Sequence, residues 1–194
     1  VLSSWEIKVY RYPQMGQHIK VSTWPYAFHG FYGYRNFRIE GENGEIFAEA
    51  NSVWVFMDTE KMRPTRVSER MQEVYIPEIK DEIPGEWADR KISLPDDAAQ
   101  KSVEKEPVRV SRFYIDTNHH MNNGKYILVA EEYLPENVLV CGLRAEYRKA
   151  AMLGDMLYPV VTTEAEQITV TLADEKGAPY AIICFRIQKK ERQS

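Results

Sequence analysis

Between Asp116 and Lys125, within the stretch YIDTNHHMNNGKYI (Tyr114 to Ile127), the chain gathers one carboxylate, three asparagines and two of its four histidines. These side chains suit acyl-group chemistry. An imidazole titrates near neutral pH, which makes His120 the natural proton handler. Asp116 can orient that imidazole, stabilise its cation, or itself act as nucleophile or base, and the Asn118 amide can donate to a carbonyl or hold a water. Asn122 and Asn123 stand where a helix N-cap belongs and read as supporting residues at a helix N-terminus. The turn from Thr117 to Met121 then lies at that N-terminus, where unpaired N–H groups and the helix dipole favour developing negative charge. The carbonyl oxygen of a thioester or ester under attack would suit such a place. By alternation His119 points away from His120 and reads as solvated. His18 and His29 fall in strand patterns without nearby acidic or cysteine partners and read as sheet-surface residues. The spacing points to no metal and to no cofactor.

Two elements must deliver this turn. A strand, EPVRVSRFYI, is expected to end at Asp116. A helix of about twelve residues is expected from near Asn122, because Tyr126, Ile127, Ala130, Tyr133 and Leu134 recur at helical spacing. Both ends of the chain read as antiparallel meanders. At the first, SWEIKVYRY, QHIKVSTWPYAF, GFYGYRNFRIEG and EIFAEANSVWVFMD follow one another, with Gly41 to Gly44 as a hairpin turn. At the second, VLVCGLRAEYRKA, MLYPVVTTEAEQ, ITVTLADEKG and PYAIICFRIQKK do the same, with Glu175-Lys176-Gly177 as the last turn. The two ends also resemble each other. YRYPQMGQHI, from Tyr10, lines up with YRKAAMLGDML, from Tyr147, and NGEIFAEA with KGAPYAII, which pairs Gly44 with Gly177 and Phe47-Ala48 with Tyr180-Ala181. The expected class is α+β, two copies of one unit: residues 1–58 the remainder of the first, 59–106 a polar, proline-bearing connector with a short helix in RVSERMQEVY, and 107–194 the second, which carries the chemistry. The second copy has a strand and helix in front of its meander and the first has none, so about 50 residues are expected to be missing ahead of Val1. That would leave an apolar face under Trp24, Phe31, Tyr34 and Phe37 partly bare, to be covered by the missing helix or by a second chain in a homodimer.

Composition sets limits. With 194 residues, 44% of them hydrophobic, the chain can bury a sizeable core, and a net charge of -4 gives no overall attraction to nucleic acid. No helix-turn-helix with a basic face stands out. No apolar run approaches the roughly 18 residues that span a bilayer, and the first residues lack a leader pattern, so a cytoplasmic protein is expected. Cys141 and Cys184 lie in apolar strand runs and are expected to be buried, reduced thiols.

DTNHHMNNGKY resembles the Asp-x-Asn-x-His-x-Asn-Asn-x-x-Tyr signature of acyl-acyl-carrier-protein (acyl-ACP) thioesterases, in their bacterial form. RNFRIEGENGEIFAEANSVWVFMD followed by RPTRV resembles that family's first domain, and AEYRKAAMLGD its second. The resemblance implies two tandem hotdog domains, each an antiparallel sheet wrapped around a helix. It also implies catalytic roles for Asp116, Asn118 and His120, with acyl carrier protein as the partner. The implied reaction is hydrolysis of the fatty acyl thioester, which releases free fatty acid and ends chain elongation in fatty acid biosynthesis. An acyl-CoA thioesterase of the same fold is the nearest alternative, and a non-catalytic acyl-binding hotdog protein a more distant one. Plant members carry an acidic residue and a cysteine after their Tyr-Arg-Arg run, whereas here Tyr147-Arg148-Lys149 precedes Ala150 and Ala151, so a cysteine nucleophile is excluded at that place. Glu146 faces opposite to Tyr147 and reads as structural first and as an active-site acid second. Basic clusters such as EKMRPTR and YRK are expected to meet the acidic carrier.

Overall fold

The computed structural model describes residues 1–58, 60–61 and 63–190. Thr59 and Met62 of the expected connector, the latter within EKMRPTR, and the last four residues of the expected second unit lie outside the described residues. The chain forms two compact units, Val1–Arg90 and Lys91–Ser194, and the division falls inside the segment read as a connector.

In the first unit four long strands, β1 (Leu2–Val9), β2 (Ile19–His29), β3 (Tyr32–Gly41) and β4 (Ile46–Val55), pair antiparallel in the order β2-β3-β4-β1. The turn between β3 and β4 closes with Gly44 donating to the Gly41 carbonyl at 3.0 Å, and Gly44 takes φ +76, which glycine reaches without a Cβ clash. A two-residue ladder of β5 (Met57–Asp58) and β6 (Arg63–Pro64) follows. Helix α1 (Glu69–Tyr75) comes next, capped by the Ser68 hydroxyl, which accepts from Met71 N–H at 3.2 Å.

The expected bare face is in fact two faces. Trp24 pairs with Asn36 across β2 and β3, and Tyr34 lies two residues from Asn36, so all three point one way while Phe37 points the other. The Trp24 side is covered by residues 81 to 88. Trp24 Nε1 donates to the Asp81 carbonyl at 3.0 Å, Ile83 N–H donates to Asn36 Oδ1 at 3.0 Å, and Ala88 N–H donates to Glu6 at 2.6 Å. Asn36 is fully buried there, and Trp24 is buried with it. Part of the polar connector is therefore a cover for this sheet. On the other face Phe28, Gly33, Phe37, Trp54 and Phe56, with Tyr75 of α1, line a largely apolar cleft of about 460 Å³.

The second unit opens with α2 (Ala98–Lys101), β7 (Ser102–Glu104) and β8 (Val108–Arg109). After them come α3 (Asn123–Glu131), β9 (Val138–Tyr147), β10 (Met156–Thr163), β11 (Gln167–Ala173) and β12 (Pro179–Lys189). Its strands run β9-β12-β11-β10-β7, with β8 also on β10. The registers place Leu143, Ala145 and Tyr147 on one face with Phe185, Ile183 and Ala181 of β12 and with Ile168, Val170 and Leu172 of β11. Helix α3 packs on β11 and β12 and buries Tyr126, Val129 and Ala130. Each large apolar side chain enclosed in this way contributes about 1.5–3 kcal/mol of burial.

The internal repeat is visible in the hydrogen bonds. Tyr10 and Arg11 both donate to the Phe47 carbonyl, at 2.8 and 3.2 Å, just as Arg148 and Lys149 both donate to the Tyr180 carbonyl, at 2.9 and 3.3 Å. Gly177 closes its turn on Asp174 as Gly44 does on Gly41. The ladder pairs Val9 with Ala48 and Tyr147 with Ala181, so Tyr147 corresponds to Val9. The Tyr-Arg identity that aligned Tyr10 with Tyr147 is one residue out of step.

Three local expectations change. The strand expected over EPVRVSRFYI is a two-residue ladder followed by a 3-10 turn, Arg112–Tyr114, because Pro107 offers no N–H and Val110 is tied instead to the Asp155 carbonyl at 2.8 Å. Helix α3 stops at Glu131, and Tyr133 and Leu134 belong to tighter turns closing on Ala130 and Glu131 at 3.2 and 3.0 Å. Pro135 disfavours helical backbone at the residue before it. Cys184 is buried, but Cys141 is only half-buried: the β9–β12 register slips between Arg186 and Ile187, leaving Cys141 as the extra residue of a β-bulge with its thiol on the Arg186 carbonyl at 3.4 Å. Among the described residues, no helix is long and apolar enough to cross a membrane.

Candidate active site

Residues 116 to 120 form one closed turn. Asp116 N–H donates to the His120 carbonyl at 2.9 Å, and His119 N–H donates to the Asp116 carbonyl at 3.0 Å. Asn118 N–H donates to Asp116 Oδ1 at 2.8 Å, an Asx turn. His119 takes φ +62, a left-handed conformation that the tight reversal requires, and its side chain is exposed. The flanks are bound as well: Ile115 bridges to Met121, Met121 N–H donates to the Ala151 carbonyl at 2.9 Å, and Asn122 N–H donates to the Tyr114 carbonyl at 2.8 Å.

This frame brings Asp116, Asn118 and His120 into a single turn and leaves their reactive atoms available. Asp116 and His120 are half-buried and Asn118 is exposed. Among the described residues, Asp116 Oδ2, the Asn118 amide and the His120 imidazole have no hydrogen-bond partner. No hydrogen bond joins the Asp116 carboxylate to the His120 ring among those residues, so the free protein holds the two groups in one turn without a preformed dyad.

Asn122 is the N-cap of α3, its Oδ1 accepting from Gly124 N–H at 2.9 Å, and Asn123 is the first helical residue. The Lys125 N–H is taken by the Asn122 carbonyl at 2.9 Å. The helix N-terminus is thus less open than its sequence implies. Of its first three amides, only that of Asn123 has no acceptor among the described residues. The Asn123 carbonyl in turn accepts from the Tyr147 hydroxyl at 2.9 Å, which anchors the start of α3 to β9.

Tyr126 supports the turn from beneath, a role its helical spacing did not reveal. The ring is buried and meets Tyr147 edge-on at 5.8 Å, and the hydroxyl accepts from Ala151 N–H at 2.8 Å. Burial pushes the phenol up to about 12, so it stays neutral at any working pH. Ala151 therefore joins Tyr126 to Met121 through its own N–H and carbonyl. The signal was present in the spacing, since Tyr126 follows Asp116 by ten residues in the signature, yet only its apolar ring entered the helical pattern. Replacing Tyr126 by phenylalanine is expected to leave the enclosed Ala151 N–H without an acceptor and to cost about 1–3 kcal/mol in chemical denaturation. Unchanged stability would show that this link carries no weight.

Glu146 lies elsewhere. It follows the face of β9 opposite to Tyr147 and α3, where it is buried, accepts from Ile92 N–H at 2.8 Å and pairs with Arg148 at 2.9 and 3.2 Å. Ile92 packs there with Ile182 and Cys184. His18 is strongly exposed with Glu42 3.8 Å away, a neighbour brought by the hairpin rather than by spacing along the chain, and His29 stands edge-on to Tyr34 at 5.8 Å. Among the described residues, no three His, Cys, Asp or Glu side chains gather closely enough to hold a metal ion.

Comparison with known proteins follows the same division. The family model described as the acyl-ACP thioesterase N-terminal domain matches residues 1–75, and the acyl-ACP thioesterase C-terminal domain matches residues 97–181. The chain is 32% identical over 156 residues to a chloroplastic acyl-[acyl-carrier-protein] hydrolase of Cuphea viscosissima, covering 77% of this chain and 37% of that protein. It is 26% identical over 178 residues to the chloroplastic oleoyl-acyl carrier protein thioesterase 1 of Arabidopsis thaliana, covering 86% of this chain and 48% of that one. The chain spans about two fifths of the length of the first curated relatives it matches, 37% and 41%. Its fold is similar to that of the 12:0-ACP thioesterase from Umbellularia californica, with a TM-score of 0.84 at 21% identity over 98% of this chain and 75% of that one. An acyl-ACP thioesterase from Bacteroides thetaiotaomicron gives 0.83 at 18% identity over 97% and 76%. With both domains of one family matched across most of its length, and the Asp116-to-Tyr126 signature folded into the turn and first helical turn described above, this chain belongs to the acyl-ACP thioesterase family.

Proposed function

We propose that this protein hydrolyses the thioester joining a fatty acyl chain to acyl carrier protein, releasing the free fatty acid and so ending elongation. The observation that carries this reading is the turn itself. In a member of this family, it presents an imidazole, a carboxamide and one carboxylate oxygen with no partner among the described residues, all at the start of α3. In the proposed reaction the Asn118 amide holds the carbonyl or the attacking water, and the Asn123 N–H supplies a donor for the oxyanion. His120 manages protons, taking one as the nucleophile is activated and returning one to the departing thiolate. Asp116 orients and stabilises the imidazolium or attacks the carbonyl itself through Oδ2. Asn122 serves as a cap, and Glu146 holds the backbone of Ile92 rather than substrate.

Each unit is read as one hotdog domain. The shared strand order of the two sheets and the repeated bonds around Phe47 and Tyr180 support that reading, and α3 on β11 and β12 supplies the wrapped helix of the second. Two cysteines that form no disulfide fit a reducing compartment such as the cytoplasm. The reading is tested by incubating the protein with acyl-ACP and measuring both products. Fatty acid and carrier thiol should appear in equal amounts, and release of neither would overturn it.

A further inference from the structure

A basic and apolar patch borders the reactive turn and takes no part in the chemistry assigned to it. Phe113 is 73% exposed, unusual for a phenylalanine, and the Lys125 ammonium lies 3.7 Å over its ring. These residues stand on the two segments that bracket Asp116 to His120: the 3-10 turn Arg112–Tyr114 before it and the first turn of α3 after it. The bond from Asn122 N–H to the Tyr114 carbonyl holds those segments together.

Charge separates this patch from one of the two basic clusters that stand out in the sequence, YRK; in the other, EKMRPTR, Arg63 and Arg66 are also exposed. Within YRK, Arg148 is bound to Glu146 and Lys149 to Asp174, so both charges are already neutralised. Arg109 and Arg112 are exposed, and neither they nor Lys125 form an ion pair among the described residues. Lys125 over an exposed aromatic ring, Arg112 next to that ring in sequence and Arg109 on the strand that leads to it are unneutralised cations around an apolar side chain, which is what an acidic protein surface recognises.

We infer that Phe113, with Arg109, Arg112 and Lys125, is the surface on which the acidic face of acyl carrier protein docks. This rests on the reading of the protein as an acyl-ACP hydrolase. The placement is chemically consistent, because the carrier delivers its thioester on a tethered arm and must sit at the edge of the turn that attacks it. Phe113 provides the apolar anchor, and the cations steer and orient the carrier.

The test is direct binding, which does not depend on catalysis. Holo acyl carrier protein, bearing its arm but no acyl chain, is titrated into the wild type and into Arg112→Glu, Lys125→Glu and Phe113→Ser, each checked for a native melting transition. Charge reversal is expected to weaken binding by about tenfold or more, and the loss is expected to shrink as salt is raised. Phe113→Ser is expected to weaken it without changing the salt dependence. Arg109→Glu provides a second charge reversal on a different element. Free phosphopantetheine serves as a competitor: effective competition at concentrations comparable to the carrier's would move recognition to the arm's phosphate and overturn the docking surface. Carrier binding unchanged in all four variants would overturn it too, even if the protein hydrolyses acyl-ACP. Carrier binding lost in the variants would sustain it even if hydrolysis proved absent, which keeps the two readings separately testable.

Discussion

Replacing His120 by alanine is expected to lower turnover of acyl-ACP by about 10²-fold or more, the scale of general acid–base catalysis, while the fold survives. The turn is closed through the His120 carbonyl, which accepts from Asp116 N–H at 2.9 Å and is retained in alanine. The imidazole makes no hydrogen bond among the described residues and is only half-buried, so its removal costs little packing. Turnover should therefore fall without a matching fall in melting temperature. Activity within about threefold of the wild type would remove His120 from the mechanism, since a proton handler cannot be lost so cheaply.

The second large effect is expected at Asp116, where the choice of substitution matters. Asparagine keeps an Oδ1 able to accept from Asn118 N–H, at 2.8 Å in the native turn, and removes only the charge. Asp116→Asn should thus preserve the Asx turn and lose about 10²-fold or more in turnover, whether the carboxylate steadies the imidazolium or attacks the carbonyl. Asp116→Ala should show the same kinetic loss and, in addition, about 1 kcal/mol of stability from the missing acceptor. Label found on Asp116 after a single turnover in ¹⁸O-water identifies attack by Asp116. Direct attack by water places the label in the first fatty acid released. If Asp116 attacks, the thiolate departs as an anhydride forms, and water cleaving that anhydride at the aspartyl carbon leaves the label on Asp116. Full activity in Asp116→Asn would exclude both roles.

Much of the architecture was legible because local chemistry dictated it. The turns at Gly44 and Gly177 need φ values of +76 and +80, and glycine was where the strand patterns broke. The cap of α3 was legible because Asn122 offers an oxygen at the place where Gly124 N–H needs one. What escaped detection depends on partners distant in sequence. Residues 81 to 92 show no periodicity, yet their amides reach buried side chains far along the chain: Ile83 to Asn36, and Ile92 to Glu146. Asn36 looked like one more polar residue on an alternating strand. The 3-10 turn at Arg112–Tyr114 likewise answers to the carbonyl of Asp155, which holds Val110, and no local pattern announces that bond. In the candidate site the three side chains were legible as a cluster, but the link from Tyr126 through Ala151 to Met121 was not, because Ala151 contributes only its backbone.

The carrier is what separates the proposed reaction from acyl-CoA hydrolysis. The most direct measurement compares kcat/KM for acyl-ACP and acyl-CoA of the same chain length with one preparation of the protein. Hydrolysis of both with a preference of at least about tenfold for acyl-ACP is the expected result, since only that substrate carries the acidic protein that the proposed docking surface would meet. Equal or greater efficiency with acyl-CoA would contradict the account and make this protein an acyl-CoA thioesterase on the same fold.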